Sequence, residues 1–361
     1  MKAAVCRKFG APLAIEEVEL APPSSGEVVV RIKACAICHS DIHYAEGAWG
    51  GELPAVYGHE AAGVVEEVGE DVRSVKTGDS VVVTMVRSCG QCPCCEQGHY
   101  GSCETRFPLD ETSPLRSARD GSKIGHGLRT GAFAEHALVD ASQVVAIPSE
   151  LPFDRAALLA CGVITGFGAV TNTAKVPVGA SVVVIGTGGV GLNSVQGAAL
   201  SGARTIIAVD VSDAKLKAAR AFGATHAFNP ANIDLRKRVK ALTDRRGADF
   251  VFVTVGEKDA ADQAYRLIAR GGAVVLVGMP ALGVKSEFDV LILADNSQRI
   301  LGSKMGSSNI QTDIPKLIEL YKQGRLKLDE LITTRYPLEE INEAIASVKR
   351  GEALRNIIVF P

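Results

Sequence analysis

The turn Gly186-Thr187-Gly188-Gly189-Val190-Gly191 constrains this chain more than any other segment. It follows the apolar run Ser181–Ile185 and opens a helical pattern at 190–201. A G-x-G-x-x-G alone is weak, because glycine-rich turns are common. Between a strand and a helix it does more. The glycines permit a tight turn and close backbone approach to a pyrophosphate, and the helix start offers free N–H groups with a partial positive charge. Asp210 ends the next apolar run, 19 residues after Gly191. A carboxylate there can accept hydrogen bonds from both ribose hydroxyls of NAD and would repel a 2′-phosphate, so the pattern predicts NAD over NADP. The plain alternative is a purely structural strand–turn–helix.

The alternation continues. Strand-length runs at 181–186, 205–210, 226–229, 250–256, 273–279 and 299–303 enclose helical patterns at 190–201, 213–222, 233–243 and 259–269. Asp213 and Asp259 sit as N-caps, and Gly202, Gly223 and Gly271 sit where helices end. This is the pattern of a doubly wound parallel α/β sheet. Before residue 163 the rhythm is different. Val28, Val30, Ile32 and Ala34 alternate with Val29, Arg31 and Lys33, and short β-like runs follow at 61–68, 78–84 and 134–146. The tail carries two amphipathic helical stretches and an apolar run at 356–360. A length of 361 residues suits two such domains.

Lys plus Arg is 39 and Asp plus Glu is 41, which argues against a nucleic-acid partner held by a basic field. Residues 1–8 have no apolar signal core, and no apolar run approaches the ~20 residues of a membrane span. The expectation is a cytoplasmic protein with no membrane partner, where thiols stay reduced and nine cysteines need another purpose. Cys89-x2-Cys92-x2-Cys95-x7-Cys103 supplies one. Four thiolates in one short loop can close tetrahedrally around Zn(II) with no open position, leaving Cys94 as the odd one out. The alternative is a set of free or redox-active thiols. Cys38, His59 and Cys161 are weak singly, since a lone Cys is usually a small core hydrophobe. Together, two thiolates and an imidazole make a three-ligand zinc site with an open fourth position. Their spacing cannot assemble them.

Six segments carry a resemblance: Cys38-His39-Ser40-Asp41-Ile42-His43, Gly58-His59-Glu60-Ala61-Ala62-Gly63, the four-cysteine loop, Cys161-Gly162-Val163-Ile164-Thr165-Gly166, the glycine turn and Leu354-Arg355-Asn356. With them the chain resembles the zinc-dependent medium-chain alcohol dehydrogenases along nearly its whole length. The resemblance implies a GroES-like, β-rich catalytic domain (1–162 with 305–361) around a Rossmann NAD-binding domain (163–304). It implies two zinc ions per subunit: a catalytic one on Cys38, His59 and Cys161, and a structural one on Cys89, Cys92, Cys95 and Cys103. Asp41 matches the carboxylate that orients the ligating His, and Glu60 the acid behind the metal. Ser40 and His43 match a proton relay. Gly186, Gly188, Gly189, Val190, Gly191, Asp210, Lys215, Thr165, His39 and Arg355 match cofactor contacts, the last two at the pyrophosphate. Many relatives carry Arg at the His39 position.

The implied reaction is hydride transfer between an alcohol and NAD, interconverting alcohol and aldehyde or ketone. Trp49 and Met85 align with pocket-lining positions, and a Trp there favours a slender primary alcohol. Lys304 sits near a position that lines the pocket in relatives, where it would suit an anionic substrate; the simpler reading is an exposed lysine. The segment 104–131 carries Arg106, Arg116, Arg119, Lys123 and Arg129, a charge run of the kind that normally forms a solvated face. A thiol-adduct formaldehyde dehydrogenase ranks second, because its anion-binding Arg position holds Phe107 here. A non-enzymatic, crystallin-like NAD-binding protein ranks behind both, since the zinc ligands are all present. The family implies a homodimer or homotetramer.

Overall fold

The computed structural model describes all 361 residues. They form two compact units: Met1–Gly162 with Asn309–Lys322 and Leu328–Pro361, and Val163–Ser308 with Gln323–Lys327. Residues 305–308, expected with the first unit, group with the second. Asn172 Nδ2 donates to the Gly306 carbonyl (3.3 Å) and Ser308 Oγ to the Ile164 carbonyl (3.4 Å), so this short turn is tied to its own unit.

In the first unit the period-two run becomes the strand Glu27–Ala36, buried along most of its length. It pairs with Glu60–Val68 along one edge. Its other edge pairs first with His136–Asp140 and then, further on, with the C-terminal strand Arg355–Val359. The expected run 134–146 splits in two because Asp140 accepts the Ser142 N–H and turns the chain before Val144–Ala146. The strand Ile332–Pro337, parallel to Arg355–Val359, was not visible in the sequence; its residues are half-buried or exposed, so no apolar alternation marks it. A closed barrel of Lys2–Cys6, Ala14–Leu20, Leu115–Ser117, Lys123–His126 and Ala55–Val56 completes the unit. Phe133, Ile32 and Ile37 are wholly or almost wholly buried in the core, each worth roughly 1.5–3 kcal/mol by removal from water.

The second unit is a six-stranded parallel sheet in the spatial order His226–Phe228, Thr205–Val209, Ser181–Ile185, Ala248–Val253, Ile268–Leu276, Arg299–Gly302. Numbered along the chain this is 3-2-1-4-5-6, the doubly wound order whose crevice opens where the order reverses, at the end of Ser181–Ile185. All five residues of that strand are buried. Several details differ from expectation. Glu257, not Asp259, is the N-cap of the helix Lys258–Ala264, with Asp259 inside its first turn. Ser212, not Asp213, caps the helix Asp213–Ala221, its hydroxyl accepting the Lys215 N–H. The helix expected to reach 269 spans only Lys258–Ala264, because Ile268 is already paired with Ala248 at the start of a strand. Gly271, expected at that helix end, turns within the strand at φ +72° instead.

The continuous helical segment Phe153–Thr173 has 21 residues and a mean hydropathy of 1.5, the length and composition of a membrane span. It is not all-apolar in sequence, which hid it, and 78% of the apolar window is buried inside the protein. It is a core helix by that measure. Its middle, Leu159–Val163, is a π-helical turn.

Candidate active site

The strand Glu27–Ala36 leads directly into Cys38, which sits at the N-cap of the short helix His39–Ala45. Asp41, 1% exposed, organises everything around that helix start. Its Oδ2 accepts the Cys38 N–H at 3.0 Å, and its Oδ1 accepts the Gly58 N–H at 2.9 Å and meets His59 Nδ1 at 2.9 Å. The last contact fixes an imidazole proton on Nδ1, so Nε2 is the nitrogen that could turn a lone pair to a cation. That nitrogen is buried and has no hydrogen-bond partner. Its environment explains why: the ligand atoms of Cys38, His59, Glu60 and Cys161 lie within 4.8 Å of one another, all four residues buried. Cys161 is the central residue of the π-helical turn, a local widening of the helix frequent at functional sites.

Glu60 has a different partner. Both of its oxygens receive the Arg355 guanidinium, and Oε2 also accepts the Gly162 N–H at 3.3 Å. Arg355 was expected at a pyrophosphate. It is instead 5% exposed, committed to Glu60 and to the Ile37 carbonyl (3.3 Å). Gly162 permits this, since a Cβ there would lie 2.2 Å from an Arg355 nitrogen. With Glu60 so engaged, the donors left are two sulfurs and one imidazole nitrogen.

The electrostatics point the same way. The Cys161 thiol's hydrogen bond, with His59 adding to it, holds Cys38 well below the usual thiol range, while Cys161 is pushed up in return. Burial would depress His59, but the Asp41 charge and hydrogen bond outweigh it and raise it well above its usual value. Burial raises Glu60 to about 7 against the pull of Arg355. A thiolate beside a thiol and a cationic imidazole is a set that holds protons where a cation could replace them. A bound cation would displace those protons, and a buried imidazole nitrogen without a hydrogen-bond partner among sulfurs fits a zinc ion.

The four-cysteine loop also converges. Cys89, Cys92, Cys95 and Cys103 bring their sulfurs within 4.8 Å of one another. Backbone N–H groups of Gln91 and Cys92 point at Cys89 Sγ (3.4 and 3.3 Å), and that of Cys89 at Cys103 Sγ (3.4 Å). A hydrogen bond from Thr105, with the Gln91 N–H next, lowers the Cys89 thiol to about 6. Cys94 turns away to Glu104 (3.5 Å). This donor set fits zinc as well.

The glycine turn assigns its residues distinct tasks. Gly186 has φ +89°, and a Cβ there would meet Val255 at 2.4 Å. A Cβ on Gly191 would lie 1.8 Å from the Gly186 carbonyl oxygen. Around Gly188, the N-cap of the helix Gly189–Leu200, there is open space. Gly189 and Val190 are the first two residues of that helix. Asp210 Oδ2 accepts the Thr187 N–H (2.7 Å) and hydroxyl (3.1 Å), and Oδ1 accepts the Ser212 N–H (2.9 Å). It thus ties the turn to the end of the neighbouring strand. Lys215 follows in the helix Ser212 caps.

The remaining expected residues are placed as follows. Ser40 and His43 are half-buried on the helix His39–Ala45, three residues apart and so on one face; His39 is exposed. The His43 ring lies 4.9 Å from Trp49, which also meets Tyr44 edge-on at 5.3 Å. Met85 is half-buried in the same unit. In the other unit Thr165 is buried, with its hydroxyl 3.7 Å from Met305 Sδ, and Lys304 is exposed. Sequence reasoning missed Arg87. It is 1% exposed and donates to Gln143 Oε1 (2.7 Å), Asp110 Oδ1 (3.0 Å) and the Arg129 carbonyl (3.3 Å), with Phe107 packed 5.5 Å away. The basic residues of the charge run, Arg106, Arg116, Arg119, Lys123 and Arg129, are exposed or half-buried, while Arg87 ties the segment down from inside through Asp110 and the Arg129 carbonyl. An arginine closing the apolar run 81–86 was the one available signal.

Comparison with known proteins agrees with this geometry. Residues 24–149 match the alcohol dehydrogenase GroES-like domain, and residues 189–323 match the zinc-binding dehydrogenase family. An NDMA-dependent alcohol dehydrogenase of Amycolatopsis methanolica is 39% identical over 367 residues, covering 99% of this chain and 98% of that one. The crystal structure of an alcohol dehydrogenase zinc-binding domain protein from Burkholderia ambifaria superposes with a TM-score of 0.95 at 38% identity, over 100% of this chain and 98% of that chain. A zinc-binding dehydrogenase from Sinorhizobium meliloti 1021, bound to NADP, does so at 0.83 and 27% identity, over 99% of each.

Proposed function

The chain belongs to the zinc-dependent medium-chain alcohol dehydrogenase family and is an alcohol oxidoreductase; on that premise we propose that it moves hydride between a primary alcohol and NAD. The buried, unpartnered Nε2 of His59 between two cysteines carries this reading. Cys38, His59 and Cys161 would hold a catalytic Zn2+, and the four-cysteine loop a structural one. When bound, the catalytic ion supplies Lewis acidity that lets an alcohol hydroxyl ionise near neutral pH.

The chain's own groups do the rest. Asp41 keeps the His59 proton on Nδ1, and Arg355 holds Glu60 in place behind the cysteines. Ser40 accepts the hydroxyl proton, and His43, on the same helix face, releases it to solvent. The substrate loses that proton and gives a hydride to the dinucleotide, leaving an aldehyde. Open space at Gly188 suits a pyrophosphate, and Asp210, with Lys215 beside it, suits an unphosphorylated ribose. His39 and Thr165 are further cofactor contacts. Trp49 and Met85 would line a narrow alcohol site, and the exposure of Lys304 agrees with the simpler reading of a surface lysine. Phe107 packs against Arg87 where an anion-binding Arg would be expected, so a thiol-adduct substrate ranks second. A homo-oligomer of two or four copies is part of the reading. Met279, Leu282, Val290 and Leu291 are 51–76% exposed, in the segment that leads to an edge strand, Arg299–Gly302, with one free side.

The test is a panel of primary alcohols against NAD, NADP and NDMA, followed optically, with zinc measured on the same preparation. We expect two zinc ions per chain, NAD preferred and Cys161→Ala inactive. Because the hydrogen bonds that Asp210 accepts also hold the glycine turn, Asp210→Gly should weaken both dinucleotides while narrowing the preference. Equal use of NADP by the wild type, or an active Cys161→Ala, would overturn the assignment.

A further inference from the structure

Two amide side chains lie inside the helix that follows the glycine turn. Asn193 is 1% exposed and Gln196 is 3% exposed. Neither belongs to the motif that marks the turn, and an apolar pair would pack there without needing partners. Their hydrogen bonds form a single chain. The Lys327 N–H donates to Gln196 Oε1 (2.7 Å), and Gln196 Nε2 donates to the Lys327 carbonyl (3.2 Å). Gln196 Nε2 also donates to Asn193 Oδ1 (3.1 Å), and Asn193 Nδ2 donates to the Gly189 carbonyl (2.7 Å).

The direction of this chain is not free to reverse. At one end a backbone N–H must meet an oxygen, which fixes the Gln196 amide. Its nitrogen then faces Asn193, whose oxygen must accept. The Asn193 nitrogen is left for Gly189, and a carbonyl is what it finds there. Both ends specify the same polarity, so the pair is a directed link from residue 327 to the first residue of the helix.

The Gly189 carbonyl belongs to the same trans peptide as the Val190 N–H, and the two point in opposite directions. Val190 is the second residue of the helix, where N–H groups have no partner within the helix and face whatever lies before it. A donor on the carbonyl fixes the tilt of that peptide and polarises its N–H.

We infer that Asn193 and Gln196 are positioning residues of the dinucleotide site: they hold the Gly189–Val190 peptide so that its N–H is aimed at the pyrophosphate, and they link that aim to the segment Gln323–Lys327. The inference rests on reading the glycine turn as a dinucleotide site. It makes the affinity of the turn depend on a donor buried one helical turn away.

The test compares Asn193→Thr with Asn193→Val, two side chains of one shape. Both lose the amide and both fill the site equally. Only Thr retains a hydroxyl able to donate to the carbonyl four residues back. Dissociation constants for NADH are measured by fluorescence, with thermal unfolding as the fold control. We expect Asn193→Val to bind NADH roughly fivefold more weakly than Asn193→Thr, the effect of one ordinary hydrogen bond, at closely matched unfolding temperatures. Gln196→Met should weaken binding too, and combined with Asn193→Val it should add little, since the two act in series. Equal NADH affinity of the Thr and Val variants, with wild type binding normally, overturns the inference alone. Failure of the wild type to bind NADH overturns the reading of the turn and this inference with it. If Asn193→Val does not fold, the Gln196→Met result decides: unchanged NADH affinity there overturns the inference.

Discussion

At the scale of single residues, the site depends on a carboxylate that touches no sulfur. Asp41 bonds the backbone of Cys38 and Gly58 and the ring of His59, so it sets both the position of one candidate ligand and the tautomer of another. Asp41→Asn keeps the size but offers an N–H where the ring nitrogen needs an acceptor. We expect it to lower zinc retention and activity by roughly 10–100-fold, the usual cost of losing such a partner. Zinc content against turnover, with unfolding temperature as control, checks it; full activity at full occupancy would contradict the role. Arg355 teaches the opposite lesson about residues. Its place after Leu354 in a familiar segment suggested a phosphate contact, yet the side chain is buried against Glu60. A guanidinium suits either anion, and sequence cannot tell which carboxylate or phosphate lies within reach.

At the scale of elements, local signals were legible where one segment does the whole task. The glycine turn, its strand and its helix could be read because the steric demands at Gly186 and Gly191 fall within a few residues. The four-cysteine loop was legible for the same reason, and it leads to a separable prediction. Cys95→Ala should lower the unfolding temperature and make it insensitive to chelator, because a structural ion contributes folding free energy directly. Scanning calorimetry with and without chelator checks this, and an unchanged wild-type transition in chelator would sink it. Elements that form only by pairing were not legible. Ile332–Pro337 has no apolar period of its own, and the strand Ile268–Leu276 begins inside what reads as helix because Ala248 is its partner. Arg87 was invisible for a related reason: its partners lie 23, 42 and 56 residues away.

At the scale of the whole molecule, the outer strand and the apolar residues before it carry the expectation of self-association. Leu291→Glu puts a charge at a position 76% exposed in one copy. It should shift the sedimentation coefficient toward the monomer without changing the unfolding profile of the isolated chain. A wild type that sediments as a monomer at all concentrations would remove the oligomer from the reading. The three candidate zinc ligands lie 21 and 102 residues apart in order along the chain, so only the completed fold of their unit brings them together.

The π-helical turn Leu159–Val163 has one more consequence. An α-helix advances about 100° per residue, and a π turn accommodates one residue more than an α turn would. Deleting a single residue between Phe153 and Leu159 would leave Cys161, His59 and Cys38 all encoded, yet swing the cysteine around the helix axis and off the site. In this stretch the genetic lesion to fear is a three-base in-frame deletion, which a survey of ligand identities alone would score as harmless.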